Sequence, residues 1–272
     1  MARRVTTLIE RLKKNIQLPE MKILPGQLAF FFILTIVPIV ALVLVVASNL
    51  NVSSEFLNNL AETQFPDAVV TVIEYISSSN VHANFIIFFV SALILASNGT
   101  YSMIIASNQI YKIKDKGMIY DRVKSVFMLF VLIFLLVFVM IVPVFGNYIM
   151  KSLSIIIDNP SIKDYMFTIY NIMNLPISWF FIFVSIKLLY TMAPDARIAS
   201  KKVTYGALFT SISWVIFTKL YSIYNDVFGN ITSLYGGISS LIVLMWWIYF
   251  LSYFYVMGMA LNVSKYEEKE ER

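Results

Sequence analysis

The sequence contains no cysteine and a single histidine, His82. Without cysteine the chain has no disulfide, no thiolate nucleophile and no cysteine-ligated metal. Charged residues are also scarce, at 14% of the 272 residues, whereas a soluble domain carries about 25%. There is no P-loop, no glycine-rich dinucleotide turn and no paired-histidine motif. The sequence therefore predicts no cofactor and no metal site.

Apolar residues make up most of what is present, at 59% of the chain, with a mean hydropathy of +0.76. The longest run without Asp, Glu, Lys, Arg or His is 227–264. The part after Gly236-Gly237 would form a helix about 37 Å long, which is enough to cross a hydrocarbon core of about 30 Å. This composition indicates that the membrane, rather than water, is the solvent of the fold.

Similar stretches recur along the chain and predict an all-α, polytopic membrane protein. We predict six transmembrane helices, at about 28–47, 81–111, 125–142, 167–193, 203–224 and 237–262. They form one transmembrane domain, 25–264, followed by a charged tail, 265–272. The basic segment 1–24 has apolar residues at helical spacing, which favours a short interfacial helix over a plain tail. The connection 48–80 predicts two short amphipathic helices outside the cytoplasm.

The distribution of lysine and arginine predicts the orientation. Six lysines and arginines lie in residues 1–24, and five lie in the turn between spans two and three. The turn between spans four and five holds three more and the tail another three, so these segments contain 17 of the 21. By the positive-inside rule, both termini and these turns lie in the cytoplasm.

Three positions are candidate helix breaks. Pro38 lies inside span one, Asn98-Gly99-Thr100 makes span two polar, and Gly236-Gly237 precedes span six. Backbone and amide groups at such positions can line a substrate cavity. Helix packing and kink repair explain them equally well. Span five also has a small-residue face, formed by Gly206, Thr210 and Ser213, which predicts close contact with another helix.

Two lysines fall inside predicted spans, where an ionisable group is costly and is by default a functional hypothesis. Lys187 is expected to extend toward the cytoplasm. Lys219 shares one face of span five with Ser222 and Asp226 at spacings of three and seven. Glu74, from the connection 48–80, could meet it. A structural ion pair and a contact with an anionic substrate both remain open.

Hydrolytic chemistry needs clustered carboxylates or a positioned general base. The acids of the predicted cytoplasmic side are scattered along the sequence: Glu10, Glu20, Asp115, Asp121, Asp195 and four glutamates in the tail. We therefore predict that the protein is not an enzyme and, in particular, not a nuclease. Nucleic-acid binding is not expected either, because topology already explains the basic residues and no exposed aromatics are interleaved with them.

Several motifs, taken in order, resemble the YihY/BrkB family of inner-membrane proteins, formerly labelled ribonuclease BN-like. Span one contains Leu28-Ala29-Phe30-Phe31-Phe32, then Thr35 and Val37-Pro38. Later motifs are Tyr111, Trp214 with Lys219-Leu220, Tyr235-Gly236-Gly237, Trp247, Gly258 and Leu261-Asn262. The resemblance covers about 28–262 and implies six helices in a bacterial plasma membrane. It also implies transport, including that of lipid-like molecules.

The sequence departs from the family pattern at two positions. Ala260 stands where the family commonly has a glutamate, and Asn98 stands where it often has an arginine. A mechanism that uses those two charges as a pair is therefore not expected in this chain.

Together these observations favour a transporter or flippase-like protein for an amphipathic, anionic, lipid-like substrate. The alternative is a membrane scaffold or envelope assembly factor that transports nothing. A lipid-open cavity that reaches Lys219 would favour transport, and a sealed bundle would favour the scaffold. Membrane lipids are the expected partners, and assembly into a homo-oligomer stays open.

Overall fold

The computed structural model describes residues 17–49, 85–157, 159–232 and 237–270, and within these ranges the regular structure is entirely helical. The helices are α1 Pro19–Asn49, α2 Phe85–Ile110, α3 Met118–Ile156, α4 Pro160–Met192, α5 Ser200–Thr232 and α6 Gly237–Glu270. Stretches of α1, α2, α4, α5 and α6 are long and apolar enough to cross a membrane. The predicted all-α, polytopic membrane fold is therefore confirmed.

The first helix begins earlier than the sequence predicts. Pro19 occupies its first turn, where the missing N–H costs nothing, and Glu20 complements the helix dipole. Pro25-Gly26 is a typical helix break, which is why the sequence places the start of the first span at about residue 28, but the helix runs through both residues. The helix continues because Met21, Leu24 and Leu28 are buried in the main core and hold the turns on both sides of Pro25.

Two of the predicted helix breaks do not interrupt a helix. The first helix runs through Pro38, and α2 runs through Gly99. At Gly99 a Cβ would lie 3.0 Å from the Thr35 hydroxyl and 3.1 Å from the Phe32 ring, so glycine here allows α1 and α2 to approach each other. Helix packing is therefore the supported interpretation of Gly99. The last helix begins at Gly237, as predicted.

Successive helices pack against each other, and α6 packs against α1, which closes the bundle into a ring. The second helix also contacts α6. The main hydrophobic core lies at one end of the ring and combines buried side chains from all six helices, including Leu28, Met103, Met128, Ile186, Val203 and Met257. We call this end the basic end, because it holds the turns 111–117 and 193–199 and the lysines and arginines around them.

The fifth and sixth helices meet at two glycines. A Cβ on Gly206 would lie 2.0 Å from the carbonyl oxygen of Gly258, and one on Gly258 would lie 2.1 Å from the Thr210 hydroxyl. Thr210 also donates to the Phe254 carbonyl at 3.0 Å. The close contact predicted for the small face of span five is confirmed for Gly206 and Thr210.

The turn between α2 and α3 contains two residues with a positive φ. Lys112 has a φ of 52° and Gly117 has a φ of 108°, so the chain reverses and α3 starts directly after Gly117. Gly117 is the N-cap residue of α3.

Several predictions lie outside the described residues. They concern the connection 48–80 with Glu74, most of the segment 1–24, Gly236, and the side chain of Asp226. In α3 the side chains of 136–149 also lie outside them, so the third span, 125–142, stays a prediction.

Candidate functional site

A buried polar network links three segments at the basic end. Asn108, in the last turn of α2, is 1% exposed. Its amide nitrogen donates to Asp195 at 2.6 Å and to Asp115 at 2.9 Å, and its amide oxygen accepts from the backbone N–H of Asp195 at 2.9 Å. Asn108 therefore ties α2 to the turns before α3 and after α4, and all of its hydrogen-bonding groups have partners.

Lys124, in α3, completes the network from the other side. Its ammonium donates to a carboxylate oxygen of Asp195 at 2.7 Å and to the carbonyl oxygens of Ala193 and Pro194 at 2.8 and 2.9 Å. These three bonds use all three ammonium protons. The Asp195 side chain has no exposed surface, so its charge is balanced inside the protein by Lys124. Burial alone would raise the pKa of Asp195, but the bonds from Lys124 and Asn108 hold it below its usual value.

Asp121 lies beside this ion pair and is 3% exposed. One of its carboxylate oxygens is buried and has no hydrogen-bond partner among the described residues. Burial, together with the neighbouring Asp195 and Asp115 carboxylates, raises the pKa of Asp121 to about 6 against the attraction of Lys124. Asp121 therefore changes charge close to neutral pH.

One carboxylate oxygen from each of Asp115, Asp121 and Asp195 lies within 4.8 Å of the others. Oxygens at that separation could share a divalent cation, since hard cations prefer carboxylate ligands. Lys124 and Asn108, however, already occupy both oxygens of Asp195. In the described structure this group is first of all an ion-pair network that joins two turns.

The expectation that the cytoplasmic acids are scattered is wrong for these three. Asn108 and Asp195 are 87 residues apart, and Lys124 and Asp195 are 71 residues apart. Such contacts depend on which helices are neighbours in the ring. One feature of the sequence could have indicated this cluster. All three acids lie in, or next to, the two turns that are predicted on the cytoplasmic side of the membrane.

Asn98, a candidate cavity residue, has a structural partner. Arg122 donates to its side-chain oxygen at 2.8 Å and to the Ser97 hydroxyl at 3.3 Å, and the Arg122 guanidinium lies 4.6 Å from the centre of the Tyr101 ring. An arginine from α3 thus supplies a positive charge beside Asn98. Ala260 is buried and provides no charge.

A groove of about 490 Å³ lies between α1 and α6. Its walls are Gly26, Ala29, Phe30 and Ile33 on one side and Met245, Trp246, Tyr249 and Phe250 on the other. Phe30 is 57% exposed and Trp246 is 69% exposed, whereas Ala29 is buried at the floor. Both walls belong to stretches that are long and apolar enough to span a membrane, so the groove opens sideways.

Lys219 and Ser222 are exposed on α5, and Lys219 does not line this groove. The pairing of Lys219 with Asp226 or Glu74 stays a prediction, because those side chains lie outside the described residues. The extension of Lys187 toward the cytoplasm stays a prediction. Its ammonium lies 5.9 Å from the Phe183 ring, which is one turn earlier in α4.

Comparison with known proteins identifies the group to which the chain belongs. The family model described as Virulence factor BrkB matches residues 14–272. A Bacillus subtilis (strain 168) protein named ribonuclease-like protein YfkH is 26% identical over 250 residues, covering 90% of both chains. No solved structure matches. Because the family model covers nearly the whole length, the chain is a member of the Virulence factor BrkB family of membrane proteins.

Proposed function

We propose that the protein binds an amphipathic, anionic, lipid-like molecule and moves it along the groove between α1 and α6. The groove is the observation that carries the proposal. Its volume of about 490 Å³ lies in the range of small-molecule sites, and its walls are almost entirely apolar. At membrane depth the molecule that fits such walls is an acyl chain.

An acyl chain in the groove gains packing contacts rather than hydrophobic free energy, because the surrounding lipid is equally apolar. The groove alone therefore selects weakly among lipids, and selection has to come from charge. Lys22 is exposed on α1 one turn before Gly26, and the spacing of four residues puts both on one face. A cation at the basic end of an apolar groove suits a lipid with an anionic headgroup.

The route we propose lies on the outside of the bundle. At the basic end the interior is filled by the main core, which includes the fully buried rings of Tyr190 and Tyr255. The two rings are 4.7 Å apart, and the Tyr190 hydroxyl bonds to the Tyr255 carbonyl at 2.6 Å. A substrate that passed through this end would have to separate these side chains, whereas a groove that is open to lipid needs no such step.

We place the basic end on the cytoplasmic side of a bacterial plasma membrane, since this is where the positive-inside rule puts clustered lysine and arginine. We also propose that the protein is not an enzyme. Although three carboxylates approach one another, Lys124 and Asn108 occupy the oxygens of Asp195 that a catalytic metal would need. Purified protein with Mg²⁺ or Mn²⁺ should cleave RNA no faster than its Asp121→Asn variant.

Reconstituted vesicles test the proposed movement. The full chain is inserted into vesicles that contain a fluorescent phosphatidylglycerol or phosphatidylcholine, and a membrane-impermeant quencher measures how fast the label crosses. We expect faster crossing of the anionic lipid with wild-type protein. Gly26→Leu should reduce the rate at least about fivefold, because the new side chain fills the groove, where a Cβ meets nothing within 4 Å.

Ile216→Trp is the matched control. Ile216 is 57% exposed on α5, so this variant adds bulk to a lipid-facing surface outside the groove. The proposed movement is contradicted if wild-type protein does not accelerate crossing of either lipid. The role of the groove is contradicted if Gly26→Leu and Ile216→Trp have equal rates. Movement of the zwitterionic lipid alone would contradict the anionic preference.

A further inference from the structure

A second cavity, of about 290 Å³, lies at the basic end where the turn after α2, the turn before α5 and the end of α6 meet. Its polar walls are Tyr111, Arg197, Lys202 and Asn262. We infer that this cavity binds a phosphate oxyanion. The inference deepens the proposed function, and it depends on that function only for the choice of a lipid headgroup as one source of the phosphate.

The charge of the cavity favours an anion. Arg197 and Lys202 provide two cations, and none of the described residues that line it is acidic. Asp195, two residues before Arg197, is fully buried and paired with Lys124, so its own charge is already balanced. The first turn of α5, which starts at Ser200, adds the positive end of a helix dipole.

The buried polar groups of the cavity need an acceptor. Asn262 is 3% exposed, and its side-chain oxygen is bonded to the backbone N–H of Gly206 at 2.6 Å. This bond fixes the amide orientation and makes the nitrogen the group without a partner among the described residues. The Tyr111 hydroxyl, which is also buried and outside strict hydrogen-bonding geometry, lies next to this nitrogen, and the amide can donate one of its two protons to it.

An unpaired buried donor costs about 1–3 kcal/mol. Even when the amide donates one proton to Tyr111, the second amide proton and the Tyr111 hydroxyl proton have no acceptor among the described residues. Both groups can donate, and an oxyanion offers acceptors to both while its charge meets Arg197 and Lys202. The planar guanidinium of arginine can donate two parallel hydrogen bonds to two oxygens of a phosphate. The apolar side chains of Ile113 and Ile198 form the remaining walls, which suits a headgroup whose tail stays in lipid.

Two sources share this chemistry: the phosphate of a lipid headgroup and free inorganic phosphate. The test uses the full chain in detergent and measures the melting temperature against ligand concentration, since a ligand that binds only the folded state raises it. The probes are inorganic phosphate and a short-chain phosphatidic acid, each compared with chloride at equal ionic strength.

Asn262→Asp is the sharpest variant. It has the same shape and keeps the oxygen that accepts from Gly206, but it replaces the free donor by a negative oxygen. We expect it to weaken binding at least about tenfold, which corresponds to about 1.4 kcal/mol. Arg197→Gln, at an exposed position, should have a similar effect, so the test does not depend on how well the Asn262 variant folds. Lys201→Gln removes an equal charge from the same turn outside the cavity and should change binding less than about twofold.

Stabilisation by both probes, lost in Asn262→Asp and Arg197→Gln, supports a general phosphate site. Stabilisation by phosphatidic acid alone supports a headgroup site, and stabilisation by inorganic phosphate alone excludes the lipid source. The inference is overturned if neither probe stabilises wild type, or if Arg197→Gln behaves like Lys201→Gln. The vesicle assay with Gly26→Leu measures lipid movement independently of phosphate binding. Failure of this site and failure of the proposed function are therefore distinguishable.

Discussion

The side-chain oxygen of Asn262 accepts a hydrogen bond from the backbone N–H of Gly206 across the contact between α6 and α5. This bond requires glycine at position 206, because a Cβ there would lie 2.5 Å from the amide nitrogen of Asn262 and 2.0 Å from the carbonyl oxygen of Gly258. The two helices can therefore approach closely only while neither carries a side chain at the crossing. The same approach aims the free end of the Asn262 amide at the phosphate cavity.

Replacing Gly206 by alanine should destabilise the bundle. Backbone of α6 lies in the way of the new methyl group, so the helices must separate, at a cost of about 3 kcal/mol or more. We expect the melting temperature in detergent to fall by at least about 5 °C. Gly26→Ala is the matched control, since a Cβ there meets nothing within 4 Å and alanine favours a helix. Equal melting temperatures for the two variants would show that the α5–α6 contact is looser than described.

Removing Lys124 should be more harmful than removing both partners of its ion pair. Lys124→Met leaves the fully buried Asp195 carboxylate without a counter-charge, and breaking such a pair costs about 3–5 kcal/mol. The double variant Lys124→Met/Asp195→Asn leaves no unpaired charge and should recover most of that loss.

A thermal unfolding series that includes Lys116→Met, at an exposed position of the same basic turn, measures both effects. Lys116→Met should be close to wild type. If the double variant were as unstable as Lys124→Met, the loss would come from the methionine or from the bonds to Ala193 and Pro194 rather than from the unpaired charge.

The raised pKa of Asp121 predicts a pH-dependent stability. Its pKa rises from 3.8 to about 6 on folding, so the folded state holds this proton more tightly than the unfolded chain does. The resulting stabilisation is complete below 3.8 and is lost as the pH rises through about 6. The pKa of Asp195 is lowered, so its own contribution is lost only at more acidic pH, as the pH falls through that lowered value.

Between about pH 5 and about pH 7.5, wild-type protein should therefore lose about 1 kcal/mol relative to Asp121→Asn, which has no proton to release. Melting temperatures of both proteins across this range measure the difference, and contributions of all other groups cancel in it. Asp164→Asn, at an exposed position on α4, should follow wild type. If the melting temperatures of wild type and Asp121→Asn changed in parallel with pH, Asp121 would not titrate in this range.

The sequence predicts those parts of the molecule that depend on local composition. Lipid requires every spanning segment to satisfy its own backbone, so apolar runs become helices, and small residues such as Gly206 and Thr210 become a packing face. The start of α1 was predicted wrongly because tertiary burial of Met21 and Leu24 outweighs the break suggested by Pro25-Gly26.

The polar network at the basic end has no local signature. Asn108 meets Asp195 only because α2, α3 and α4 are neighbours in the ring, and the spacing of residues within either segment does not report that neighbourhood. For the same reason Asn98 was singled out as a cavity residue, although its partner, Arg122, belongs to the next helix. Lys219 was chosen because it lies inside a predicted span and shares a helix face with Ser222 and Asp226, and the side chains of its proposed acidic partners lie outside the described residues.

The orientation of the bundle can be tested directly because the chain has no cysteine, so a single introduced cysteine reports without background. Lys201→Cys marks the basic end in the first turn of α5, and Asp164→Cys marks the opposite end near the start of α4; both positions are exposed. A membrane-impermeant maleimide added to intact spheroplasts should label Asp164→Cys at once and Lys201→Cys only after lysis, because clustered lysine and arginine stay on the cytoplasmic side. The reverse pattern would place the basic end outside the cell, and labelling of both positions in intact spheroplasts would contradict a helix that crosses the membrane between them.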